Sequence, residues 1–524
     1  MMTSALAAAA VLQAVPAAAA GLISAFAQAL SAAAQDDAAL ASFYRARNYA
    51  TLWTGEADAG RRHNLMAAFD GAVAHGLPVA RYDAAGLRDL FAQAATEGDL
   101  GRLELAMSRA YLAYAGDLSS GALVPSAVDG GIKREVTRPD PALVLAAASG
   151  DVARYLAGLA PTAPEYARLM KENFALEALI AAGGYGPQIA AEVLGTGDSG
   201  AAVVQLRDRL MMLGYLERSF TDSYDAALAE AVQRFQLDHG MGADGQAGER
   251  TVAALNVEAD QRLRAVVVAM ERLRWMGNRP RGDRHIWVNL PEYVVRVMDG
   301  GKATFRTRVV VGKVGADTES PEFSEVMEFM VVNPTWSVPR SIVVKEYLPM
   351  MQRNPNAQGQ LQVIDSAGRV VPREAIDFAA YNTRNFPFAL RQPPSDGNAL
   401  GKVKFMFPNQ YNIYLHDTPS KSLFAKEVRA FSHGCIRVAA PFDLAYTLLA
   451  RQSDDPKGLF KSYLKGGREQ VLDIAAPIPV HLVYFTAWPT EQGKIGYLAD
   501  IYGRDAAIYQ ALETAGVVLP GVQT

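Results

Sequence analysis

The chain has 524 residues, a length that predicts about three domains of ~100–200 residues each. Half of its residues are hydrophobic and a fifth are charged, which is typical of a folded protein and excludes a disordered or collagen-like chain. The net charge of −4 provides no overall positive field for nucleic acid or anionic lipid, so we expect no nucleic-acid partner. The single cysteine, Cys435, excludes an intrachain disulfide and a thiolate zinc cluster.

The N-terminus has the composition of an export signal. Residues 1–34 contain no lysine or arginine, and the apolar run Ala5–Val15 is followed by Pro16 and the small residues Ala17–Ala20. We therefore predict a signal peptide over residues 1–20, although it lacks the basic segment that normally comes first. The alternative is an alanine-rich first helix. Because no other long apolar run occurs, no transmembrane segment is expected in the mature chain.

Residues 21–194 are predicted to form a helical scaffold domain. Apolar residues recur at intervals of three and four, as at Leu103, Met107 and Tyr111, and Gly/Pro breaks such as His75–Pro78 separate the segments. No cluster of His, Asp and Glu converges in this region, which favours a structural role.

Residues 195–258 form a compact module of three predicted helices. The first two carry apolar stripes, and the glycine-rich loop Gly240–Gly248 leads into the third, which ends at Leu255-Asn256. The glycine spacing and the terminal Ala-Leu-Asn resemble the peptidoglycan-binding domain of cell-wall enzymes. This resemblance implies recognition of wall glycopeptide, and a spacer role is the alternative.

A connecting helix over residues 259–281 precedes a change to β-strand patterns. Residues 282–524 contain β-branched and alternating segments, among them Ile286–Leu290, Tyr293–Met298 and Phe305–Val311, with a hairpin turn at Asp299–Gly301. The stretch 347–401 is less regular, and its length predicts a lid or cap over a functional site. The chain as a whole is thus predicted to be an α+β multidomain protein.

The segment Ser432-His433-Gly434-Cys435-Ile436-Arg437 has the composition of a nucleophile site. A thiol attacks efficiently only as thiolate, so it needs a base or a cation nearby. Gly434 permits a sharp turn, and we expect the amides of Gly434 and Cys435 to face the developing oxyanion. Arg437 supplies a positive charge that favours the thiolate or holds a substrate carboxylate.

Two histidines lie close enough in sequence to act as the base. His433 is two residues from Cys435, a spacing that does not easily bring an imidazole against the sulfur. His416 ends a predicted strand, and the return to Cys435 would place the two groups on neighbouring strands within hydrogen-bond reach. We therefore assign His416 as the general base. A zinc site of His416, His433 and Cys435 is the competing hypothesis, but its spacing lacks the usual paired-ligand pattern, so no metal is expected.

These residues resemble the L,D-transpeptidase (YkuD-type) family, and in particular its large multidomain Gram-negative members. The motif Ser432–Arg437 carries the resemblance, together with Asn333–Ile342, Asn398–Asn409, Tyr414–Pro419 and Tyr484–Trp488. The resemblance implies a mostly-β catalytic domain over 282–524 with a capping subdomain at 347–401. The segment Gln392–Gly397 departs from the family pattern, which leaves the conformation of that loop open.

The resemblance also implies a reaction without a cofactor. Cys435 would attack the third residue of a donor tetrapeptide stem of peptidoglycan, release the terminal D-alanine, and pass the acyl group to an amine of an acceptor stem. A 3→3 cross-link would result. With its predicted signal peptide the chain is expected to be periplasmic, and the resemblance implies that it is a carbapenem target.

Further site residues follow from the same resemblance. His433 would line the acceptor side, and a substrate-binding role is implied for the four residues Trp336, Tyr414, Ser432 and Asn333.

Three alternatives to cross-linking remain at this point. Water could resolve the acyl-enzyme, giving a carboxypeptidase or endopeptidase of stem peptides. The acceptor could be an outer-membrane protein that becomes attached to the wall. The non-enzyme alternative is a peptidoglycan-binding scaffold with a vestigial site, against which the complete set of His416, Gly434, Cys435 and Arg437 argues. The oligomeric state is left open by the sequence.

Overall fold

A computed structural model describes residues 24–315 and 317–521 of the chain. The predicted signal peptide, residues 1–20, lies outside the described residues. The chain divides into two units, one made of residues up to 69, 82–114 and 140–156, the other of residues 70–81, 115–139 and 157 onward. No helix in the described ranges is long and apolar enough to cross a membrane.

The N-terminal third is helical, as predicted. Its helices are α1 (Ala25–Ala33), α2 (Ala38–Ala46), α3 (Ala59–Asp70), α4 (Val79–Tyr82), α5 (Ala84–Gln93), α6 (Glu97–Ser120), α7 (Pro125–Val128), α8 (Pro141–Ala148), α9 (Val152–Ala157) and α10 (Pro164–Ala181). The predicted break at His75–Pro78 is a helix end, where Gly76 adopts φ +61°.

The first unit is organised around a buried carboxylate on α6. Glu104 is fully buried and accepts hydrogen bonds from the backbone amides of Leu52, Trp53 and Thr54 and from the Tyr44 hydroxyl at 2.8 Å. A buried charge is tolerated when donors surround it, and here the donors fix the chain at residues 52–54. This carboxylate therefore has a structural role, in keeping with a scaffold.

The predicted three-helix module is observed as α11 (Ala201–Met212), α12 (Ala226–Asp238) and α13 (Glu249–Leu255). Its core is formed by the predicted apolar stripes, with Leu206, Leu228 and Phe235 fully buried. The connecting helix α14 (Ala259–Met276) follows and ends where Gly277 adopts φ +63°.

The C-terminal region contains the strands. These are β1 (Arg284–Asn289), β2 (Val294–Asp299), β3 (Lys302–Gly312), β4 (Phe323–Val332), β5 (Trp336–Ser337), β6 (Gln362–Ile364), β7 (Val370–Val371), β8 (Ala389–Gln392), β9 (Val403–Met406), β10 (Leu415–His416), β11 (Ala430–Ser432), β12 (Ile436–Val438), β13 (Gln470–Val483), β14 (Ala487–Pro489) and β15 (Ile495–Tyr497). The helices among them are α15 (Arg340–Ile342), α16 (Leu348–Arg353), α17 (Pro441–Leu449), α18 (Pro456–Lys465) and α19 (Arg504–Thr514).

The main sheet has nine strands in the order β11-β3-β12-β10-β9-β4-β13-β1-β2. Strand β3 pairs with β2 along its first half and with β12 near its end, so the strand order returns on itself. The predicted hairpin joins β2 to β3 through Gly300 and Gly301, which adopt φ +54° and +79°, the conformation that a two-residue type I′ turn requires. The closed strand order surrounds a core of alternating residues such as Val288, Val295 and Val309.

The region predicted to be an irregular cap has a small fold of its own. A second sheet has the order β5-β8-β6-β7 and packs with α15 and α16 around buried residues including Ile342, Leu348 and Leu390. This cap therefore starts at β5, earlier than the predicted boundary at residue 347. Strands of two to four residues show too little alternation for sequence patterns to detect, which is why the segment was expected to be irregular.

Candidate active site

The pairing of β10 with β12 brings the sequence-predicted residues to one face of the sheet. The two strands are parallel, with Leu415 opposite Ile436 and His416 opposite Arg437. Leu415 and Ile436 are fully buried in the core. Because successive side chains point to opposite faces, Tyr414, His416 and Arg437 lie on the other face of the sheet, and Cys435 immediately precedes β12.

The Cys435 thiol is half-buried and contacts the loop before β10. Its sulfur donates to the Asn412 carbonyl at 3.6 Å, and it hydrogen-bonds Tyr414 through both the hydroxyl and the backbone. Burial raises the pKa of the thiol to about 11, while the Tyr414 hydrogen bonds and the charges of Arg437 and Lys404 act in the opposite direction. With a pKa of about 11, the Cys435 thiol is neutral at pH 7.

His416 is buried and has a defined tautomer. Its Nδ1 lies 2.5 Å from the Asp417 carbonyl oxygen, which can only accept, so Nδ1 carries the proton and Nε2 is left as a base. Burial, together with nearby Arg437, lowers the pKa of the imidazole to about 3. The ring packs edge-on against Tyr414 with centroids 5.7 Å apart. Within residues 24–315 and 317–521 His416 and Cys435 share no direct hydrogen bond, so Tyr414 is the group that contacts both.

Two cations lie beside the thiol and the imidazole. Arg437 follows Cys435 on β12, and burial lowers the pKa of its guanidinium. Lys404 on β9 lies opposite His416 and places its ammonium 5.7 Å from the Tyr414 ring centroid. Both charges favour a thiolate at Cys435 once it forms. Lys404 was not among the predicted site residues.

The turn before the thiol is held by hydroxyl groups. Gly434 adopts φ +108°, a conformation that side-chain-bearing residues rarely take, and its carbonyl accepts a 2.7 Å hydrogen bond from Ser320. Ser432 donates to the Cys435 carbonyl at 2.5 Å and accepts from the Gly434 amide at 3.2 Å. The Gly434 amide, expected to face an oxyanion, is thus engaged by Ser432.

The cap contacts the site through a π-helical turn, Val343–Tyr347. Glu346 in this turn hydrogen-bonds His433 at 2.7 Å, and Lys313 lies 3.5 Å from the same imidazole. His433 therefore faces the cap. Tyr347 lies near enough to Arg437 for the two charges to influence each other. π-Helical turns are rare in proteins, and those that occur often lie at functional sites.

Trp336 and Asn333, both predicted to bind substrate, lie in different parts of the fold. Trp336 is half-exposed on β5 and packs edge-on against Tyr347, with centroids 6.4 Å apart. Asn333 is buried, adopts φ +49° and donates to the Leu464 carbonyl at 3.0 Å, so its amide connects β4 to α18. The substrate-binding roles of both residues stay predictions.

The loop that departs from the family pattern has a well-defined conformation. Asn398, fully buried, donates to the carbonyls of Pro334, Gln392 and Pro393 at 3.0–3.2 Å. The Gln392 side chain bridges Gly397 and Ala399 across the same turn. Side-chain amides thus fix this turn at the base of the cap.

No grouping of three or more metal-binding side chains occurs in the described part of the chain. Of the three residues in the zinc hypothesis, His433 bonds Glu346, His416 bonds the Asp417 carbonyl and Cys435 bonds Tyr414. The three ligands are therefore not brought together around one point.

The raised thiol pKa predicts how Cys435 reacts with pH. Below its pKa the group is neutral, so its alkylation by iodoacetamide should be slow at pH 7 and still rising between pH 9 and 11. Because the chain has one cysteine, mass spectrometry of the intact protein measures this site alone. Tyr414→Phe should shift the profile to higher pH, since it removes a hydrogen bond that favours thiolate. A plateau reached by pH 7 would instead indicate a thiolate–imidazolium pair.

Comparisons with known proteins agree with the sequence resemblance over three segments. Residues 283–461 match the family model described as "L,D-transpeptidase catalytic domain", residues 38–172 match "Scaffold domain", and residues 199–255 match "Putative peptidoglycan binding domain". The predicted resemblance to multidomain L,D-transpeptidases is confirmed, and so is the predicted α+β fold class.

Two individual proteins are similar to parts of the chain. One is "Putative L,D-transpeptidase" of Haemophilus influenzae, 35% identical over 43% of this chain and 45% of its own length. The chain therefore spans less than half of that relative. The other is the crystal structure of the L,D-transpeptidase from Xylanimonas cellulosilytica, with 15% identity, a TM-score of 0.17, and coverage of 56% of this chain and 98% of the other.

Proposed function

We propose that this chain, whose residues 283–461 form an L,D-transpeptidase catalytic domain, cross-links peptidoglycan through a thioester on Cys435. The observation that carries the proposal is the sheet face shared by β9, β10 and β12, where a lone thiol, a buried neutral imidazole and two cations lie together. The matched peptidoglycan-binding segment supports the choice of substrate.

In the first half-reaction the Cys435 sulfur attacks the carbonyl that precedes the terminal D-alanine of a tetrapeptide stem. A C–S bond forms and the C–N bond to D-alanine breaks. His416 takes the thiol proton and returns it to the departing amine, a role that its unprotonated Nε2 allows. The positive charges of Arg437 and Lys404 support the thiolate during attack.

The amide of Cys435 is the donor available to the developing oxyanion. It donates to no acceptor within the described ranges, whereas the Gly434 amide bonds to Ser432. A preorganised amide beside the nucleophile stabilises charge that appears only in the transition state. We propose that this amide, rather than the pair of amides expected from the sequence, forms the oxyanion site.

In the second half-reaction the side-chain amine of an acceptor stem attacks the thioester: a C–N bond forms, the C–S bond breaks, and His416 passes the amine proton to the departing sulfur. The energy of the original peptide bond is conserved in the thioester, so no cofactor is needed. The product is a 3→3 cross-link. We propose that the acceptor enters beside His433, which hydrogen-bonds the cap residue Glu346. Since peptidoglycan lies outside the cytoplasmic membrane, we place the reaction in the periplasm.

A product assay tests this function directly. The full chain, incubated with purified disaccharide-tetrapeptide, is expected to yield free D-alanine and a cross-linked dimer in equal amounts, measured by mass spectrometry. D-Alanine with tripeptide alone would show that water resolves the acyl-enzyme and would replace the proposal by a carboxypeptidase. Absence of both products would contradict the proposal altogether.

A further inference from the structure

A cavity of about 410 Å³ lies beside the loop that contacts the thiol. It is lined by the segment from Lys133 to Thr137, the end of α14 and the residues after it, the start of β4, and the loop residues Gln410 and Tyr411. This volume is in the range of small-ligand sites, ~300–1,000 Å³. The cavity belongs wholly to the second unit of the chain.

The charges around this cavity are unbalanced. Its lining includes five cationic side chains, Lys133, Arg134, Arg274, Arg279 and Arg281. Only two carboxylates among the described residues, Glu135 and Glu325, line it as well. Arg274 is paired with Glu271 and Arg281 with Glu165. Within the described ranges, the other three cations have no carboxylate within 4.0 Å. They form what we call the Lys133 cluster, consisting of Lys133, Arg134 and Arg279.

The cluster is fixed in place by backbone and hydroxyl contacts. The Lys133 amide donates to the Glu322 carbonyl at 2.9 Å, and this bond attaches residues 133–137 to the start of β4. Arg134 donates to the Ser324 hydroxyl at 3.2 Å and the Leu482 carbonyl at 3.4 Å, and Arg279 donates to the Thr137 hydroxyl at 2.6 Å. These hydrogen-bond partners are neutral, and none of the three cations forms a direct ion pair with a described residue, although Glu322 lies close enough to Arg134 to offset part of its charge. Burial lowers the pKa of Arg134 to about 10; Glu322 acts against this shift, and the charges of Arg272 and Arg281 add to it.

The cavity is connected to the thiol through one loop. Tyr411 packs against Phe323 with ring centroids 5.1 Å apart and lies 5.6 Å from the Lys133 ammonium. The next residue, Asn412, adopts φ +56° and presents the carbonyl that accepts the Cys435 thiol. Asn409 accepts from the amides of Tyr411 and Ile413 and so holds the loop together. Tyr411, which lines the cavity, and Asn412, which contacts the thiol, are thus consecutive residues of one loop.

We propose that the Lys133 cluster binds carboxylate groups of a peptidoglycan stem peptide, as a subsite outside the catalytic face. The inference rests on the proposed function, which supplies a peptide rich in free carboxylates as the substrate. Arginine and lysine bind carboxylates through charge-assisted hydrogen bonds, and the neighbouring hydroxyl and amide groups of Ser324, Thr137 and Gln410 suit a peptide backbone. The negative net charge of the chain argues against a general polyanion site.

Binding is measured on the full-length Cys435→Ala chain, which cannot turn over, by calorimetry with purified disaccharide-tetrapeptide. Arg134→Gln, and separately the double variant Lys133→Gln/Arg279→Gln, are each expected to weaken binding by about tenfold or more, as loss of a charge-assisted hydrogen bond does. Lys133 and Arg279 are exposed, so the double variant remains informative if Arg134→Gln is poorly folded. Arg154→Gln, an exposed arginine outside the cavity, is the matched control and should leave binding unchanged.

Two further probes test the chemistry. A stem fragment with its carboxylates amidated should bind Cys435→Ala about tenfold more weakly, and the difference between the two fragments should become smaller in Arg134→Gln. Inorganic phosphate should compete only weakly. Equal binding by the cluster variants, or phosphate binding as tightly as the stem, would overturn the proposal.

Turnover separates this inference from the proposed function. With Cys435 restored, the double variant should raise the KM for the stem and leave kcat close to that of the parent chain. If the parent chain cross-links normally and the double variant has an unchanged KM, the subsite is refuted and the proposed function stands. A parent chain that makes no D-alanine would refute the proposed function whatever the calorimetry shows.

Discussion

Cys435→Ala is expected to abolish D-alanine release and cross-linking, with a loss of at least about 10⁴-fold, because no other group in the chain can form the thioester. Carbapenem labelling gives a second measurement. The parent chain should gain one adduct that maps to Cys435 by peptide mass spectrometry, and the variant should gain none.

The same substitution should barely change the fold. Cys435 is half-buried at the edge of the core, and its turn is held by Ser320 and Ser432. We expect the free energy of unfolding to change by about 1 kcal/mol or less, measured by chemical denaturation with Cys435→Ser as a comparison. An adduct on any other residue, or activity retained in the alanine variant, would rule out the assigned nucleophile.

His416→Ala is expected to reduce acyl-enzyme formation by about 10²–10⁴-fold, the usual contribution of a general base. The reduction should appear in the rate of carbapenem acylation, measured by stopped-flow absorbance. Because the imidazole pKa is lowered to about 3, the base stays neutral and active across the range above that value. The parent chain should therefore show no loss of acylation between pH 7 and pH 5 from protonation of His416.

Tyr414→Phe is the informative comparison for this prediction. The tyrosine contacts both the thiol and the His416 ring, so its hydroxyl could carry the proton between them. If His416 acts directly, Tyr414→Phe should cost much less than His416→Ala. A loss of similar size in both variants would show that the proton passes through the tyrosine, and an unaffected His416→Ala would remove the histidine from the mechanism.

Much of the fold and part of the site could be predicted from local patterns. The helical spacing of apolar residues predicts the scaffold and the three-helix module, and the two glycines after Asp299 predict the hairpin. The interval from His416 to Cys435 predicts neighbouring strands, and β10 and β12 are indeed paired. These predictions succeed because each depends on residues close together in sequence.

The rest of the site depends on contacts between distant segments. Ser320 reaches the Gly434 carbonyl across more than a hundred residues, Glu346 comes from the cap, and Lys404 comes from a strand whose neighbours cannot be inferred from its own sequence. Asn412 orients a carbonyl through a positive φ, which a residue type alone does not reveal. One signal could have been used, the Y-x-H alternation that places Tyr414 on the same strand face as His416.

The same long-range contacts have a consequence for how the chain matures. The turn that carries Cys435 needs Ser320 from the β3–β4 connection, and its imidazole neighbour His433 needs Glu346 from the cap. Contacts of such large sequence separation form only after extensive chain closure, which slows folding. The contacts that hold the turn of Cys435 therefore form only when residues 312–437 have folded together. The activity proposed for this thiol would accordingly arise late in folding, as a property of the finished domain.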